Sequence, residues 1–271
     1  MTRALYGDSA NVKLSVRGAG FGYNDRELIW ENINIDVKEG ECLCLLGPNG
    51  CGKTTLFNCI NGNYRLKNGA IYANGRDVRS YGIVELARTI GIVFQDHTAP
   101  FPYSSLEVVR MGRSPHLKIF GSPSRRDTEM AYRVMEEMGI AHLAGKKYTQ
   151  ISGGERQLVL IARTLCQEPE MILFDEPTSH LDFRNQALVL RTIMELSQKG
   201  MTIVMTSHFP NHVWKIGGSV AMLGYHGMVA HGTVDEVMTE KNLSETYGVD
   251  VKIYDARAGN IKTRFCDPYM E

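Results

Sequence analysis

The sequence predicts an α/β protein with a largely parallel sheet. Short apolar runs alternate along the chain with segments of helical periodicity, the element order of proteins whose strands are joined by helices. The predicted strands are residues 13–17, 34–37, 42–46, 90–94, 171–175, 202–206 and 220–223. The last four are almost continuously apolar, as expected of strands covered on both faces. Residues 69–77 predict an antiparallel hairpin, because Asn74-Gly75 supplies its turn.

Residues 104–150 differ from the rest of the chain, since their pattern indicates helices without strands. Ser124 is placed to cap one of these helices, with Asp127 at the third position of a capping box. The helix has an apolar face at a spacing of four residues, formed by Met130, Val134 and Met138. We therefore expect a helical lobe inserted into the α/β core.

Length and charge limit the possible classes of protein. The 271 residues suffice for one globular domain with its own core. The 30 basic and 30 acidic residues cancel, so no general attraction for nucleic acid or anionic membranes is expected. No apolar run approaches the roughly 18–20 residues that cross a bilayer, and the first ten residues lack the apolar region of a secretory signal. We expect a cytoplasmic protein without a nucleic-acid partner, held at a membrane only through other proteins.

The six cysteines form no pair separated by two residues, and several stand in apolar segments. They lie at positions 42, 44, 51, 59, 166 and 266. That spacing does not fit a zinc site or a disulfide framework. Reduced and mostly buried thiols are expected instead.

A glycine-rich loop follows the predicted strand 42–46 and precedes a helical stretch at residues 54–60. Its pattern is Gly47-x-x-x-x-Gly52-Lys53-Thr54, in the strand–loop–helix setting of a phosphate loop. Backbone N–H groups and the helix N-terminus would hold phosphate oxygens. Lys53 would supply charge at the β- and γ-phosphates, and the hydroxyl of Thr54 would bind Mg²⁺. The other loop residues expected to line the ATP are Asn49, Gly50, Cys51 and Thr55.

Two carboxylates end the predicted strand 171–175. The carboxyl end of a strand is where α/β sheets bind their ligands. Asp175 fits the role of holding Mg²⁺ through water, and Glu176 that of orienting and activating the attacking water. The alternative is that both acids simply end a strand in solvent. The presence of a phosphate loop in the same chain favours the functional interpretation.

Further segments resemble the ATP-binding cassette family of transporter ATPases. Residues 152–157, Ser-Gly-Gly-Glu-Arg-Gln, are similar to its signature sequence, and residues 179–182, Ser-His-Leu-Asp, to its D-loop. Gln95 after strand 90–94 matches its Q-loop glutamine, and His208 after strand 202–206 matches its switch histidine. Tyr23 is placed like the aromatic residue that stacks on adenine, although Phe21 is nearby. The resemblance runs from about residue 18 to 237.

This resemblance implies a fold, a domain division and an assembly. The fold is a P-loop NTPase (RecA-like) core with an antiparallel β subdomain and an inserted α-helical subdomain. One domain would span residues 1–271, with its nucleotide-binding core at about 1–95 and 158–240 and the helical subdomain at about 96–157. A C-terminal extension would take up about 241–271, with a strand at 247–254 and a loosely held tail.

The resemblance also implies the roles of individual residues. Two copies would join head to tail, and each signature would complete the ATP site of the other copy. Glu176, His208, Lys53 and Gln95 would serve hydrolysis, with Gln95 also near Mg²⁺. The residues that would reach the second copy's nucleotide are Ser152, Gly153, Gly154, Glu155 and Asp182. The sequence departs from the common signature at Ile151, where leucine is usual, and at Glu155, where glutamine is usual.

Residues 108–117, followed by Phe120, resemble importer ATPases for iron–siderophore, haem and vitamin B12 uptake. That group implies transmembrane permease subunits, an extracytoplasmic substrate-binding protein acting indirectly, and a place at the cytoplasmic face of the membrane. Residues 96–103, with Phe101 and Tyr103, would line the groove for a permease helix, or their aromatic rings would only close the local core. Molybdate or tungstate importers share these features, so the transported compound stays open. Exporters and non-transport cassette ATPases are disfavoured, the latter because residues 53–152 hold no long coiled coil.

Overall fold

The computed structural model describes residues 11–24, 27–94, 102–118, 121–225, 227–259 and 261–270. The chain divides into two units, one made of residues 1–80 and 197–271 and the other of residues 81–196. No helix within the described part of the chain is both long and apolar enough to cross a membrane.

An antiparallel sheet and the first buried strand open the first unit. In chain order its elements are β1 (Val12–Phe21), β2 (Trp30–Lys38), β3 (Cys42–Leu46), α1 (Lys53–Ile60), β4 (Asn68–Ala73) and β5 (Arg76–Asp77). The sheet order is β2-β1-β4-β5. Asn74 and Gly75 both have positive φ, 50° and 73°, as a tight two-residue hairpin turn requires. The antiparallel subdomain and the hairpin are thereby confirmed.

Helices dominate the second unit. Its elements are α2 (Ile83–Thr89), β6 (Ile90–Val93), α3 (Ser105–Arg110), α4 (Arg125–Glu137), α5 (Gly153–Cys166), β7 (Met171–Phe174) and α6 (Phe183–Gln198), whose last two residues pass into the first unit. Strands β6 and β7 pair in parallel, with Val93 opposite Phe174. Between β6 and α5 the described residues form helices and no named strand, as the sequence predicted.

For helix α4 the sequence predicted the N-terminal cap correctly but placed the buried face one position away. The predicted capping box is present, because Ser124 accepts a bond from the Asp127 N–H and the Asp127 carboxylate accepts one from the Ser124 N–H. The most buried residues, however, are Ala131 and Met135. The predicted face is only half-buried, at Met130, Val134 and Met138. It is displaced by one position, about 100° around a helix, because the small Ala131 gives little hydrophobic signal.

The chain then returns to the first unit. The remaining elements are β8 (Thr202–Ser207), α7 (Pro210–Ile216), β9 (Ser219–Gly224), β10 (Gly227–Thr233), α8 (Val234–Val237), α9 (Glu240–Tyr247), β11 (Val251–Ala258) and β12 (Ile261–Pro268). Strand β3 lies between β8 and β9 and pairs with both in parallel, with Leu46 opposite Ser207 and Met222. Every residue of these three strands is buried, which confirms the prediction of a covered parallel sheet. Strand β10, which the sequence did not predict, adds an antiparallel edge to β9.

The prediction for the C-terminal residues was partly wrong. Tyr247 ends helix α9 instead of starting a strand, because Gly248 adopts the left-handed conformation that terminates helices. The strand begins at Val251, which pairs with Pro268 at the far end of β12. The tail is therefore one strand of a fully paired hairpin instead of a loose end.

All six cysteines are buried, as predicted. Burial raises the pKa of Cys42 and Cys59 to about 12, and the pKa of Cys166 and Cys266 to about 11. A thiol with so high a pKa stays protonated at neutral pH, so these four behave as apolar core residues.

Candidate functional site

The glycine-rich loop begins where β3 ends, between two flanking parallel strands. The N–H of Gly47 donates to the carbonyl of Ser207 at 3.2 Å. A Cβ at Gly47 would overlap the carbonyl oxygen of Leu223 and lie 2.8 Å from the Sγ of Cys51. The loop thus passes so close to the ends of β8 and β9 that only glycine fits at its first position.

The loop ends at Gly52, the N-cap residue of α1. Gly52 has φ 97°, and a Cβ there would stand 2.5 Å from the indole Nε1 of Trp30. That indole donates to the Gly52 carbonyl at 3.4 Å. As a glycine, the N-cap residue Gly52 supplies no side-chain cap to α1, and the first turn of the helix holds no acidic residue. The N–H groups and the positive dipole of this helix end therefore suit an anion.

Lys53 holds the loop from inside, and Thr55 ties the first turn of α1 to Tyr23. Lys53 is only 4% exposed, and its Nζ donates to the carbonyls of Gly47 at 2.8 Å and Pro48 at 3.0 Å. The buried Thr55 has its Oγ1 3.1 Å from the hydroxyl of Tyr23. Thr54 stands exposed between them. The first turn of α1 therefore offers a hydroxyl and an ammonium group at one end of the loop.

The structure separates the two aromatic candidates for an adenine platform. Phe21 is buried at the end of β1, and its ring stacks on Tyr64 with centroids 5.5 Å apart. Tyr23 is 68% exposed, and its ring meets Phe21 edge-on at 5.2 Å. Only Tyr23 offers a face to a ligand, while its hydroxyl is tied to α1 through Thr55.

His208 follows β8 at the strand end that faces the start of the loop. It comes directly after Ser207, whose carbonyl accepts the Gly47 N–H. The Ser207 hydroxyl accepts from the N–H of Phe209 at 3.0 Å and lies 3.5 Å from Nδ1 of His212. Burial, and then the positive charge of Lys215, lowers the pKa of His212 to about 4. A neutral His212 therefore packs beneath this turn.

In the second unit, the two predicted carboxylates come directly after β7. Asp175 is buried, and its N–H donates to the carbonyl of Val93 on β6. Glu176 is half-buried and has φ 45°, a strained conformation for a residue other than glycine. The hydroxyl of Ser179 donates to its Oε2 at 3.0 Å. The backbone strain and this bond together aim the Glu176 carboxylate, an arrangement typical of functional sites.

The signature segment forms the N-terminus of α5, whose first residue is Gly153 and whose N-cap is Ser152. Ser152 accepts a bond from the Glu155 N–H, and the Glu155 carboxylate accepts one from the Ser152 N–H at 2.8 Å. These backbone and side-chain bonds from Ser152 lower the pKa of Glu155. The acid is thus folded back on its own helix end, and a glutamine could accept the same bond, since capping boxes use either residue.

The signature packs against the start of α6. A Cβ at Gly154 would overlap Oδ1 of Asn185, whereas one at Gly153 would meet nothing closer than 3.6 Å, at Leu181. Asn185 is itself held by Asp182, whose carboxylate accepts from its N–H at 2.8 Å and from its Nδ2 at 3.0 Å. The two predicted segments are therefore in direct contact through a residue that the sequence analysis did not select. Its signal was the Asp-x-x-Asn spacing of a helix cap.

Side chains of residues 108–117 form ion pairs and hydrogen bonds with other residues of the second unit. The side chain of Arg113, only 12% exposed, contacts Asp127 on α4, Glu168 and the carbonyl of Cys166. His116 Nε2 lies 2.9 Å from the carbonyl of Gln167. This run therefore joins the end of α5 to α4. The predicted residues Gln95 and Phe101, residues 96–100 and Phe120 lie outside the described part of the chain.

A phosphate loop that links a buried parallel strand to an uncapped helix end defines a P-loop nucleotide-binding protein. The chain belongs to the ABC transporter family, whose family model matches residues 30–179. It is an ATPase with the P-loop NTPase fold that the sequence predicted.

Curated relatives and a solved structure agree with this family. The chain is 37% identical to the molybdate import ATP-binding protein MolC of Haemophilus influenzae, over 88% of each chain. It is 34% identical to the iron(3+)-hydroxamate import ATP-binding protein FhuC of Bacillus subtilis, over 89% of each. An inward-facing ABC transporter assigned to the metal-chelate type matches with a TM-score of 0.87 at 34% identity, covering 96% of this chain and 98% of that one.

Proposed function

We propose that two copies of this chain bind ATP head to tail and hydrolyse it to drive an importer. The observation that supports this most is the N-terminus of α1, which begins after a glycine N-cap without acidic residues in its first turn and follows a loop that the buried Lys53 closes. The second glycine-rich helix end, at α5, would act on the nucleotide of the other copy. ATP hydrolysis itself follows from family membership.

ATP binding is assigned to the phosphate loop and one aromatic ring. Backbone N–H groups of the loop hold the phosphates, and Lys53 adds charge at the β- and γ-phosphates. The residues that line the phosphates are Gly47, Asn49, Gly50, Cys51, Gly52, Thr54 and Thr55. The exposed ring of Tyr23 stacks on adenine, which its orientation against Phe21 permits.

The proposed Mg²⁺ ligands are all oxygen donors, which suits this ion. Thr54 offers an exposed hydroxyl at the start of α1, and Asp175 offers a buried carboxylate at the end of β7. Gln95 is the third proposed ligand. When bound, Mg²⁺ neutralises charge on the β- and γ-phosphates.

Hydrolysis is assigned to Glu176, which accepts a proton from the attacking water and orients it toward the γ-phosphate. The bond from Ser179 holds its carboxylate for that role. Lys53, His208 and Gln95 stabilise charge in the transition state. The second copy contributes Ser152, Gly153, Gly154, Glu155 and Asp182.

Glu176→Gln tests this assignment. The amide keeps the shape of the side chain but cannot accept the proton, so we expect turnover to fall about 100-fold or more while ATP still binds. Phosphate release and binding of a fluorescent ATP analogue measure the two properties, and gel filtration with ATP should show a trapped dimer. Glu195→Gln, on the exposed face of α6, is the control and should keep the normal rate. Hydrolysis by Glu176→Gln at the normal rate would exclude Glu176 as the catalytic base.

For the transported compound, we propose a metal chelate of the iron–siderophore, haem or corrinoid type. The similarity to the iron(3+)-hydroxamate import protein and to the metal-chelate type structure supports it. Permease subunits would hold the chain at the cytoplasmic face of the membrane, and an extracytoplasmic binding protein would deliver the compound. Molybdate is the second candidate, because a molybdate import relative is 37% identical.

Uptake into proteoliposomes distinguishes these compounds. The chain would be reconstituted with the permease and binding protein encoded beside it, and ferric hydroxamate, haem, cobalamin and molybdate offered separately. Uptake of one chelate that requires ATP and fails with Glu176→Gln is expected. Uptake of molybdate alone would reject the chelate proposal and select the second candidate.

A further inference from the structure

We propose that the C-terminal segment, from α9 to β12, positions the switch histidine, and that Tyr247 is the positioning residue. The inference rests on the proposed role of His208 at the γ-phosphate. It assigns a task to a region in which the sequence shows no motif. Three sets of contacts within the first unit carry the argument.

The first set fixes α9 on the sheet beside the phosphate loop. Leu243 and Thr246 are buried on the inner face of α9, and Oγ1 of Thr246 lies 3.6 Å from the sulfur of Met222 on β9. Met222 is paired with Leu46, the last residue of β3 before the loop. The helix is therefore anchored to the strand adjacent to the one that carries the phosphate loop.

The second contact runs from the end of α9 to residues 208–211, the switch segment, which begins with His208. The hydroxyl of Tyr247 donates to the main-chain carbonyl of His208 at 3.1 Å. Gly248, with φ 70°, ends the helix directly after Tyr247, so this side chain belongs to the last helical turn. A rigid helix end thus holds the backbone from which the His208 ring projects.

The third set joins the hairpin to α7, the helix that follows His208. The amide of Asn211 donates to the carbonyl of Cys266 at 3.1 Å and accepts the Cys266 N–H at 2.8 Å. The hairpin is tied back to α9, because the N–H of Val251 donates to the Ser244 hydroxyl at 2.9 Å. The C-terminal segment therefore contacts the switch segment on both sides of residues 209–210.

These contacts have a physical consequence for hydrolysis. A group that stabilises transition-state charge acts only within a narrow range of positions, and small displacements lower the rate steeply. His208 directly follows the last residue of β8. The bonds from Tyr247 and Asn211 restrain the backbone at His208 and just after it, so losing them should slow catalysis without weakening ATP binding.

Tyr247→Phe removes one hydroxyl and keeps the ring. We expect kcat for ATP hydrolysis to fall about three- to tenfold with KM unchanged, the loss expected from one positioning hydrogen bond. Tyr254→Phe, on the exposed face of β11 and stacked on Phe265, is the matched control and should keep the normal kcat. Asn211→Ser should lower kcat in the same way and serves as the independent second variant.

The double variant His208→Ala/Tyr247→Phe tests whether Tyr247 acts through His208. If it does, the double variant will be no slower than His208→Ala alone, since coupled residues are not additive. An equal further loss in the double variant, a raised KM, or a normal rate for Tyr247→Phe would overturn the inference. A normal rate for His208→Ala would overturn it as well while leaving the ATPase intact. Failure of the unmodified protein to hydrolyse ATP would instead reject the proposed function.

Discussion

Two helix N-termini carry the glycine-rich motifs of this chain, and they are built in opposite ways. The N-cap residue of α1 is Gly52, which has no side chain to cap the helix, and the first turn holds no acidic residue. Helix α5 starts at Ser152 and is closed by a complete capping box with Glu155. The positive dipole at the N-terminus of α1 suits an anion from outside the chain. At the N-terminus of α5, the Ser152 hydroxyl and the Glu155 carboxylate already bind part of the backbone N–H groups and offset part of the dipole.

The difference gives the two helix ends different capacities to hold an outside anion. At α1 the chain supplies a buried cation, Lys53, whose Nζ donates to the carbonyls of Gly47 and Pro48. At α5 the hydroxyl of Ser152 accepts the N–H of Glu155 and so stabilises its own helix. We infer that α1 binds nucleotide within one copy and that α5 contributes only when a second copy closes on it.

The largest expected effect comes from substitutions at the two helix ends, which should change ATP binding and hydrolysis differently. Lys53→Ala removes both bonds that close the loop and the charge that we propose lies at the phosphates, so ATP affinity should fall about tenfold or more and hydrolysis about 100-fold. Ser152→Ala should leave ATP binding by a single chain within about twofold and lower hydrolysis about tenfold. Nucleotide titration of the isolated chain and phosphate release measure both. Equal losses of ATP affinity in the two variants would remove the distinction between the helix ends.

A smaller effect concerns the packing beneath the signature. Gly154→Ala would force Asn185 away and disturb its bonds to Asp182, so we expect about 1–3 kcal/mol of destabilisation. Gly153→Ala has room for its methyl group, with the nearest atom at 3.6 Å, and should change stability by less than about 0.5 kcal/mol. Urea unfolding of both variants compares them directly. A Gly154→Ala protein as stable as Gly153→Ala would show that α5 and α6 adjust freely.

The smallest effect tests the capping box. Glu155→Gln keeps an acceptor for the Ser152 N–H but loses the negative charge at the helix end, so stability at pH 7 should fall by about 0.3–1 kcal/mol. Because the folded state lowers the pKa of Glu155, its contribution is present above the unfolded-state pKa of about 4.3 and is lost as the pH falls through the lower folded-state pKa. The gap between the original chain and the variant should therefore narrow in acid.

The control for this prediction is Glu236→Gln, because Glu236 closes a similar box with Thr233 on α8 and its pKa is lowered by the same kind of bond. Urea unfolding at several pH values should show that both variants lose the part of the unfolding free energy that depends on an ionised carboxylate. Hydrolysis should stay within about twofold for Glu236→Gln, which lies outside the proposed ATP site. A stability gap for Glu155→Gln that widens in acid would contradict the assigned bond.

Much of the fold, and the local backbone structure of the candidate site, could be predicted from sequence, because the signals are local. A buried strand, a glycine-rich loop and a helix start follow one another within twenty residues at positions 42–60, and backbone chemistry alone requires that order. Strand β10 escaped prediction because its apolar residues stand between glycines and polar residues on a half-exposed edge. The periodicity of α4 was misplaced for a similar reason, since alanine carries little weight in a hydrophobic pattern.

The sequence by itself determined the class of protein, the phosphate loop, the two carboxylates and the signature, since each is a short pattern with its own chemistry. Only the tertiary structure decided that Tyr23 and not Phe21 is exposed, that Gly154 must lack a side chain because of Asn185, and that Tyr247 holds His208. These facts join residues 31 to 39 positions apart in the last two cases. Such contacts depend on how whole elements pack, and residue types along the chain do not encode which side chains will meet.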